Sequence, residues 1–233
     1  MATISLCMIV KNESAVLARC LDSIADLMDE IIIVDTGSTD NTKEIAAQYT
    51  SRIYDFKWTS DFSAARNFSF SKATMEYIYT ADADEILDDA NRERFLRLKD
   101  ALLPEIEIVQ MKYVTQGTFD TVLNAKKEYR PKLFRRLRTF TWIDPIHETV
   151  RLTPVTFDSD VEILHCPQSL HSKRDFSIFI KAFEHDGQFS PKIRTMYAKE
   201  LLKTGDKKDF TDAKPIFQLI FDNDPADDAR KEA

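Results

Sequence analysis

A mostly parallel α/β sheet, with helices on both faces and further helices after it, is the fold this sequence predicts. Three observations predict it. Four short apolar, β-branched runs alternate with helical patterns from Thr3 through Thr80, which is the rhythm of strand–helix–strand units. The first two, Thr3–Val10 and Ile31–Val34, are continuous runs rather than alternating ones, as strands covered on both faces are. From Asp175 onward the pattern is helical only.

Thr3 to Val10 is the first buried strand, and Lys11-Asn12-Glu13 ends it. Ala15, Leu17, Cys20, Leu21, Ile24 and Leu27 then recur at helical spacing, giving an amphipathic helix of about four turns. Ile31 to Val34 is the second strand and runs into Asp35-Thr36-Gly37-Ser38, with Thr39-Asp40 as N-cap and acidic first turn of a helix reaching about Gln48. Arg52 to Phe56 reads as a third strand, Phe62 to Lys72 as a helix, and Tyr77 to Thr80 as a fourth strand running directly into Ala81-Asp82-Ala83-Asp84-Glu85. A charged helix (Asp89 to Leu103), a strand (Glu107 to Tyr113), a polar stretch, a basic segment (Arg130 to Arg136), irregular structure (Thr139 to Val155) and a strand (Val161 to Leu164) ending at His165 follow. Ile193 to Leu202 and Phe210 to Phe221 read as two antiparallel helices of tetratricopeptide-like pattern. The expected domains are 1–172 and a helical extension, 173–233, compatible with the front of a longer array.

Composition narrows the chemistry. The chain has 233 residues, 43% hydrophobic and 30% charged, enough to bury a core, and a net charge of −7 argues against electrostatically driven nucleic-acid binding. Its 4 glycines supply neither GxGxxG nor GxxxxGK[ST], so phosphate chemistry would have to use another device, most directly a metal. Three cysteines without a CxxC pair form no disulfide framework and no zinc site; Cys7 and Cys20 read as core. No apolar run approaches the ~20 residues of a membrane span. The start, MATISLCMIVKNE, lacks a signal-peptide layout. A soluble, cytoplasmic protein is the expectation.

In parallel sheets ligands bind beyond the carboxyl ends of the strands, and Lys11–Glu13, Asp35–Asp40 and Asp82–Glu85 all follow strands. Residues two apart at a strand end point the same way, so the carboxylates of Asp82 and Asp84 converge. Two hard oxygen donors suit Mg2+ or Mn2+, and Mn2+ also accepts an imidazole. A DxD triplet alone is also what a solvated turn looks like; its place after a buried strand favours the metal.

Taken together, ISLCMIVKNE, CLDSI, DEIIIVDTGSTDNT, FKWTSDFSAARNFS and YTADADEIL resemble, in that order and spacing, the catalytic domain of glycosyltransferase family 2. The likeness is to bacterial members with a tetratricopeptide-like tail. It implies a GT-A fold, a nucleotide-sugar-binding α/β sandwich, and inverting transfer of a hexose or N-acetylhexosamine from a UDP-sugar to a protein, peptide or cell-surface glycan. The resemblance assigns Asp35 to the base or ribose, and Lys11, Asn12 and Glu13 to the loop beside the uracil, Glu13 being alternatively a helix cap. Arg66 and Asn67 would flank the nucleotide, with pairing to Asp61 as the other reading of Arg66. Asp82 would hold ribose or metal, Ala83 would lie against the nucleotide-sugar, and Asp84 would coordinate the ion that bridges the phosphates. Thr36 departs from the family, where a second Asp often stands.

Leu133-Phe134-Arg135 through His147-Glu148 resembles the RLFR…HE segment of the same subgroup. Glu148 is then the candidate base, with His147 as competing base or phosphate donor, and a salt bridge from Glu148 to Arg135 or Arg151 as the structural alternative. His165 resembles the histidine that completes the metal site, or is a satisfied half-buried histidine; His171 and His185 read as surface residues. Arg130, Lys132, Arg135 and Arg136 either bind diphosphate or form a solvated face. Two rivals are a degenerate domain that binds a partner protein through its helical tail, and a nucleotidyltransferase, which would need a Gly-rich loop where KNES stands.

Overall fold

The computed structural model describes residues 1–115, 127–136, 142–143, 145–146, 149–150, 154–166 and 172–223. The strands are β1 (Ile4–Val10), β2 (Glu30–Asp35), β3 (Ile53–Asp55), β4 (Tyr77–Thr80), β5 (Glu85–Ile86), β6 (Ile108–Thr115), β7 (Lys127–Arg135), β8 (Trp142–Ile143), β9 (Thr149–Val150) and β10 (Thr156–His165). The helices are α1 (Leu17–Ile24), α2 (Thr42–Ala46), α3 (Phe62–Phe70), α4 (Asp89–Ala101), α5 (Ser172–Asp186), α6 (Pro191–Thr204) and α7 (Lys207–Asn223). Two compact units result: Met1–Trp58, Ala65–Thr141 and Val150–Gln168 form the first; Thr59–Ala64, Trp142–Thr149 and Ser169–Ala233 the second.

The first unit is built on an eight-stranded sheet in the order β3-β2-β1-β4-β7-β6-β10-β5. Strands β3, β2, β1 and β4 are mutually parallel, as the alternation of elements predicts. Strand β7 runs against β4 and β6, and β5 against β10, while β6 and β10 are parallel. Six of the eight strands therefore share one direction. Period-2 geometry explains the layers. Ile4, Leu6, Met8 and Val10 of β1 join α1 residues Leu17, Cys20, Leu21 and Ile24 and Phe95 of α4 in one core cluster. Cys7 of β1, Ile32 and Val34 of β2 and Ile78 of β4 face the other way, against Phe68 and Phe70 of α3. Each fully buried Leu or Ile there contributes about 1.5–3 kcal/mol.

Two strands were illegible as strands. The basic segment is the C-terminal part of β7 and runs one residue past its end, despite Pro131, which has no amide to donate to the ladder. The ladder accommodates it with a register shift beside Gln110, the partner of Pro131. Strand β5 has only two residues. The link between β4 and β5 also bends the sheet. Four inter-strand steps separate them, about 19 Å on a flat sheet. Thr80 to Glu85 could span that only when nearly fully extended, at roughly 3.3–3.6 Å per residue. The link instead contains a turn closed by Glu85 N–H donating to Asp82 O at 3.1 Å, so the sheet curls to bring β5 near.

The second unit is helical where it is described at length. Tyr197 of α6 is its buried centre, stacked on Phe179 of α5 at 4.6 Å and flanked by Phe217 of α7 at 5.4 Å and Phe189 at 6.0 Å. Ser190 caps α6 by accepting from Ile193 N–H at 3.3 Å, with Pro191 in the first turn. Gly205 ends it where a Cβ would lie 2.5 Å from Leu201 O, a position no other residue could take unmoved. Among the described residues no helix is long and apolar enough to cross a membrane.

Candidate active site at the carboxyl rim of the sheet

In the order β3-β2-β1-β4 the chain moves outward from β1 to β3 and then returns to the other side of β1. That reversal opens a crevice between the loops after β1 and β4, where ligands of open α/β sheets bind. The loops after β1 and β2 are stitched into one rim. Thr36 N–H donates to Val10 O at 3.0 Å, Asn12 N–H to Ser38 Oγ at 2.9 Å, and Thr39 N–H to Asn12 Oδ1 at 2.7 Å. Asn12 adopts φ 55°, a left-handed conformation that asparagine tolerates better than most residues. Glu13 N–H donates to Thr42 Oγ1 at 2.8 Å and Ser14 N–H to Asp40 Oδ2 at 3.1 Å. Partial burial works against ionisation of Asp40, but hydrogen bonds from Ser14 and Thr42 outweigh it and bring the carboxyl down to about 2. The N-cap of α2 is Asn41 rather than Thr39, and Asp40 accepts from Thr42 N–H at 3.1 Å. The N-cap residue of α1 is Val16, and the Glu13 carbonyl accepts from Val16 N–H at 3.0 Å and Leu17 N–H at 2.9 Å.

Asp35 ends β2, paired with Val10 of β1 and Asp55 of β3. It is 2% exposed. Its Oδ1 accepts from Gly37 and Ser38 N–H, both at 2.9 Å, while its buried Oδ2 has no protein partner. Lys11 is exposed beside it, and Arg66 and Asn67 lie half-buried on α3.

The loop after β4 holds the acidic triplet. Asp82 is open to solvent, Ala83 is buried, and Asp84 is half-buried. Protein packed around Asp82 raises its carboxyl, but Lys132, Arg66, Arg130 and His165 outweigh that and hold it below the usual carboxylate range. Asp84 Oδ2 lies 3.0 Å from His165 Nε2, and Cys166 N–H donates to Asp84 O at 2.9 Å. The buried Nδ1 of His165 has no protein partner. The ring packs against Tyr113 at 4.9 Å, and the Arg130 guanidinium lies 3.7 Å from the centroid of the same tyrosine. Glu85, 2% exposed, pairs with Lys132, itself buried. Burial pushes the Glu85 carboxyl up to about 7, Lys132 opposing and Asp82 adding to the push.

The structure thus brings Asp84 and His165 together beside Asp82, and sets Asp35 on the same rim. Among the described residues no three His, Cys, Asp or Glu side chains converge as a complete metal set. The donor chemistry nevertheless fits a hard divalent ion: a carboxylate oxygen and an imidazole nitrogen face each other at hydrogen-bond distance, with a second carboxylate two residues away. Glu148 and His147 lie outside the described residues, as does His171. Of the basic residues, Lys132 is engaged by Glu85. Antiparallel β7 carries Arg135, paired with Tyr77, and Arg136 to the opposite rim, leaving Arg130 nearer the site. His185 is a surface residue beside Asp186, and Cys7 and Cys20 are buried thiols in the core. Sequence reasoning missed the Glu85–Lys132 pair and the Tyr113–His165 packing; an acid opening the apolar Glu85-Ile86-Leu87 was the available signal.

Comparison with known proteins gives the family and the fold. The family model described as glycosyl transferase family 2 matches residues 5–153, more than half of the chain. A TPR repeat-containing protein of Synechococcus elongatus is 48% identical over 87 residues, covering 37% of this chain and 22% of the relative. The prophage-derived glycosyltransferase SunS of Bacillus subtilis is 33% identical over 132 residues, 55% of this chain and 31% of the relative. The chain therefore spans between about a fifth and a third of the length of these curated relatives. Among solved structures, glucosyl-3-phosphoglycerate synthase of Mycobacterium tuberculosis, in complex with Mg2+ and uridine diphosphate, aligns with TM-score 0.55 at 17% identity, covering 82% of this chain and 81% of that one. TarS of S. aureus aligns with TM-score 0.56 at 12% identity, over 99% of this chain and 50% of that one. At such identities the structures establish the GT-A fold alone. The chain belongs to glycosyltransferase family 2.

Proposed function

We propose that this protein is an inverting glycosyltransferase that moves a hexose or N-acetylhexosamine from a UDP-sugar to a protein, peptide or glycan acceptor, with Mn2+ or Mg2+ as cofactor. The observation that carries the reading is the Asp84–His165 pair at 3.0 Å, two residues on from Asp82 and at the carboxyl end of β10. Structural neighbours crystallised with UDP-glucose and Mn2+, or with UDP and Mg2+, support the same donor and ion class.

Asp84 and His165 would hold the ion, with Asp82 adding a carboxylate to it or to the ribose. When bound, the ion supplies Lewis-acid stabilisation of the departing diphosphate. Asp35 orients the nucleoside: its Oδ1 is fixed by two backbone amides, which leaves Oδ2 to accept from a ribose or base. Lys11, Asn12 and Glu13 close the uracil side, Asn12 locked by Thr39. Arg66 and Asn67 flank the nucleotide, and Arg130 adds positive charge toward the phosphates. Glu148, with His147 as its competitor, would take the acceptor's proton while the nucleophile attacks the anomeric carbon opposite the leaving UDP. A base of this kind contributes about 10²–10⁴-fold.

A hydrolysis panel of UDP-sugars with Mn2+, comparing wild type with Asp84→Ala, tests the reading. Turnover of at least one UDP-sugar that vanishes in Asp84→Ala supports it; no turnover and no UDP binding by wild type would leave the protein-binding scaffold as the better account. Glu148→Gln is expected to bind UDP normally but lose transfer, and normal transfer by that variant would remove Glu148 as the base.

A further inference from the structure

The strap 81–84 carries the candidate metal and ribose ligands, and its backbone is held by Cys166 N–H donating to Asp84 O at 2.9 Å and by the turn that Glu85 N–H closes on Asp82 O at 3.1 Å. It leaves β4 next to β7 and arrives at β5 beyond β10, crossing the rim of the curled half of the sheet. Strand β5 is anchored by two register pairs, Leu164 with Ile86 and His165 with Glu85. Two residues of ladder at a sheet edge do not fix register by themselves. A one-residue slip would carry Asp84 away from His165.

The side chain that prevents this is Glu85. It directly follows Asp84, lies directly opposite His165 in the ladder, and is 2% exposed. Its Oε1 accepts from the ammonium of Lys132, which rises from β7 and is 6% exposed. A buried charge pair tolerates few alternative positions, because any displacement leaves both charges desolvated and unpaired. The pair therefore pins the far end of the strap to β7, at the point where Asp84 and His165 must meet.

We propose that Lys132 and Glu85 are positioning residues: they touch neither donor nor ion, and set the Asp84–His165 geometry through the register of β5. This rests on the metal-dependent transferase reading above.

The test is UDP affinity by calorimetry with and without Mn2+, well below the melting temperature, for wild type, Glu85→Gln, Lys132→Met and Lys132→Arg. The quantity that matters is the gain in affinity on adding Mn2+. The expected result is that Glu85→Gln and Lys132→Met keep metal-free UDP affinity within about twofold of wild type and lose at least about tenfold of the Mn2+ gain. Lys132→Arg, which keeps the charge, should recover most of it. Equal Mn2+ gains in all four proteins would overturn the proposal. So would a parallel loss of metal-free affinity or failure of both charge-removing variants to fold, since the pair would then be only a strut. Wild type with no Mn2+ gain would instead overturn the transferase reading itself.

Discussion

The two rims of the central sheet treat their buried polar groups in opposite ways. At the amino rim Glu30 accepts from Ser5 Oγ at 2.5 Å, Thr74 N–H at 2.9 Å and Thr74 Oγ1 at 2.8 Å, and pairs with Arg52. Lys99 there donates to Asp29 at 2.7 Å and to Leu27 O at 2.8 Å. At the carboxyl rim Asp35 Oδ2, Glu85 Oε2 and His165 Nδ1 are buried without a protein partner. Buried polar atoms are nearly always satisfied in folded proteins, so a cluster of exceptions calls for an explanation. Polar groups at the amino rim serve stability. At the carboxyl rim the partnerless Asp35 Oδ2 is the atom that the proposed function gives to the nucleotide.

That contrast breaks if substitutions at the two rims behave alike. The largest effect is expected from Asp84→Ala, which should cut turnover on the order of a thousandfold while the melting temperature, read by calorimetry, barely moves. Glu30→Ala should do the reverse. Removing one partner of a buried pair costs about 3–5 kcal/mol, a drop in melting temperature of roughly 10 °C for a chain of this size, with specific activity of the folded fraction unchanged. Asp35→Asn keeps an acceptor for the Gly37 and Ser38 amides but alters the unpartnered oxygen. It should weaken UDP binding about 10- to 100-fold, measurable by titration.

The smallest effect is on acid stability. The folded carboxyl of Asp40 lies at about 2, below its ordinary 3.8, and that of Asp29 is also lowered: burial raises it, but Lys99 and the Ile4 amide outweigh the burial. A depressed carboxyl stabilises the fold above its unfolded pKa, and that contribution disappears as pH falls through the folded value. Stability should therefore decline between about pH 3.8 and pH 2, and Asp40→Asn should flatten part of that slope in urea titrations.

The parallel half of the fold was legible because its strands are covered on both faces: ISLCMIV and IIIV can be little else, and each runs into the polar cluster that lines the rim. The antiparallel half was not. Strand β7 carries Pro131 and sets exposed Arg130 and Pro131 before three consecutive buried residues, Lys132, Leu133 and Phe134, a basic run that a local reading takes for a charged surface. Burial of Lys132 depends on Glu85, 47 residues away in sequence, and no local pattern reveals such a partner. The Asp82–Asp84 triplet was readable because its chemistry is local, whereas the Asp84–His165 meeting, across 81 residues, followed only from family resemblance.

If the carboxyl rim binds UDP together with a divalent ion, the two ligands must stabilise the fold jointly. Thermal unfolding of wild type and Asp84→Ala with UDP, with Mn2+ and with both tests it most directly. A ligand at a hundred times its dissociation constant stabilises by about 2.7 kcal/mol, or roughly 5–10 °C here. That shift is expected for wild type only when UDP and Mn2+ are present together, and it should be lost in Asp84→Ala. No shift under any condition, or the same shift in the variant, would contradict such binding.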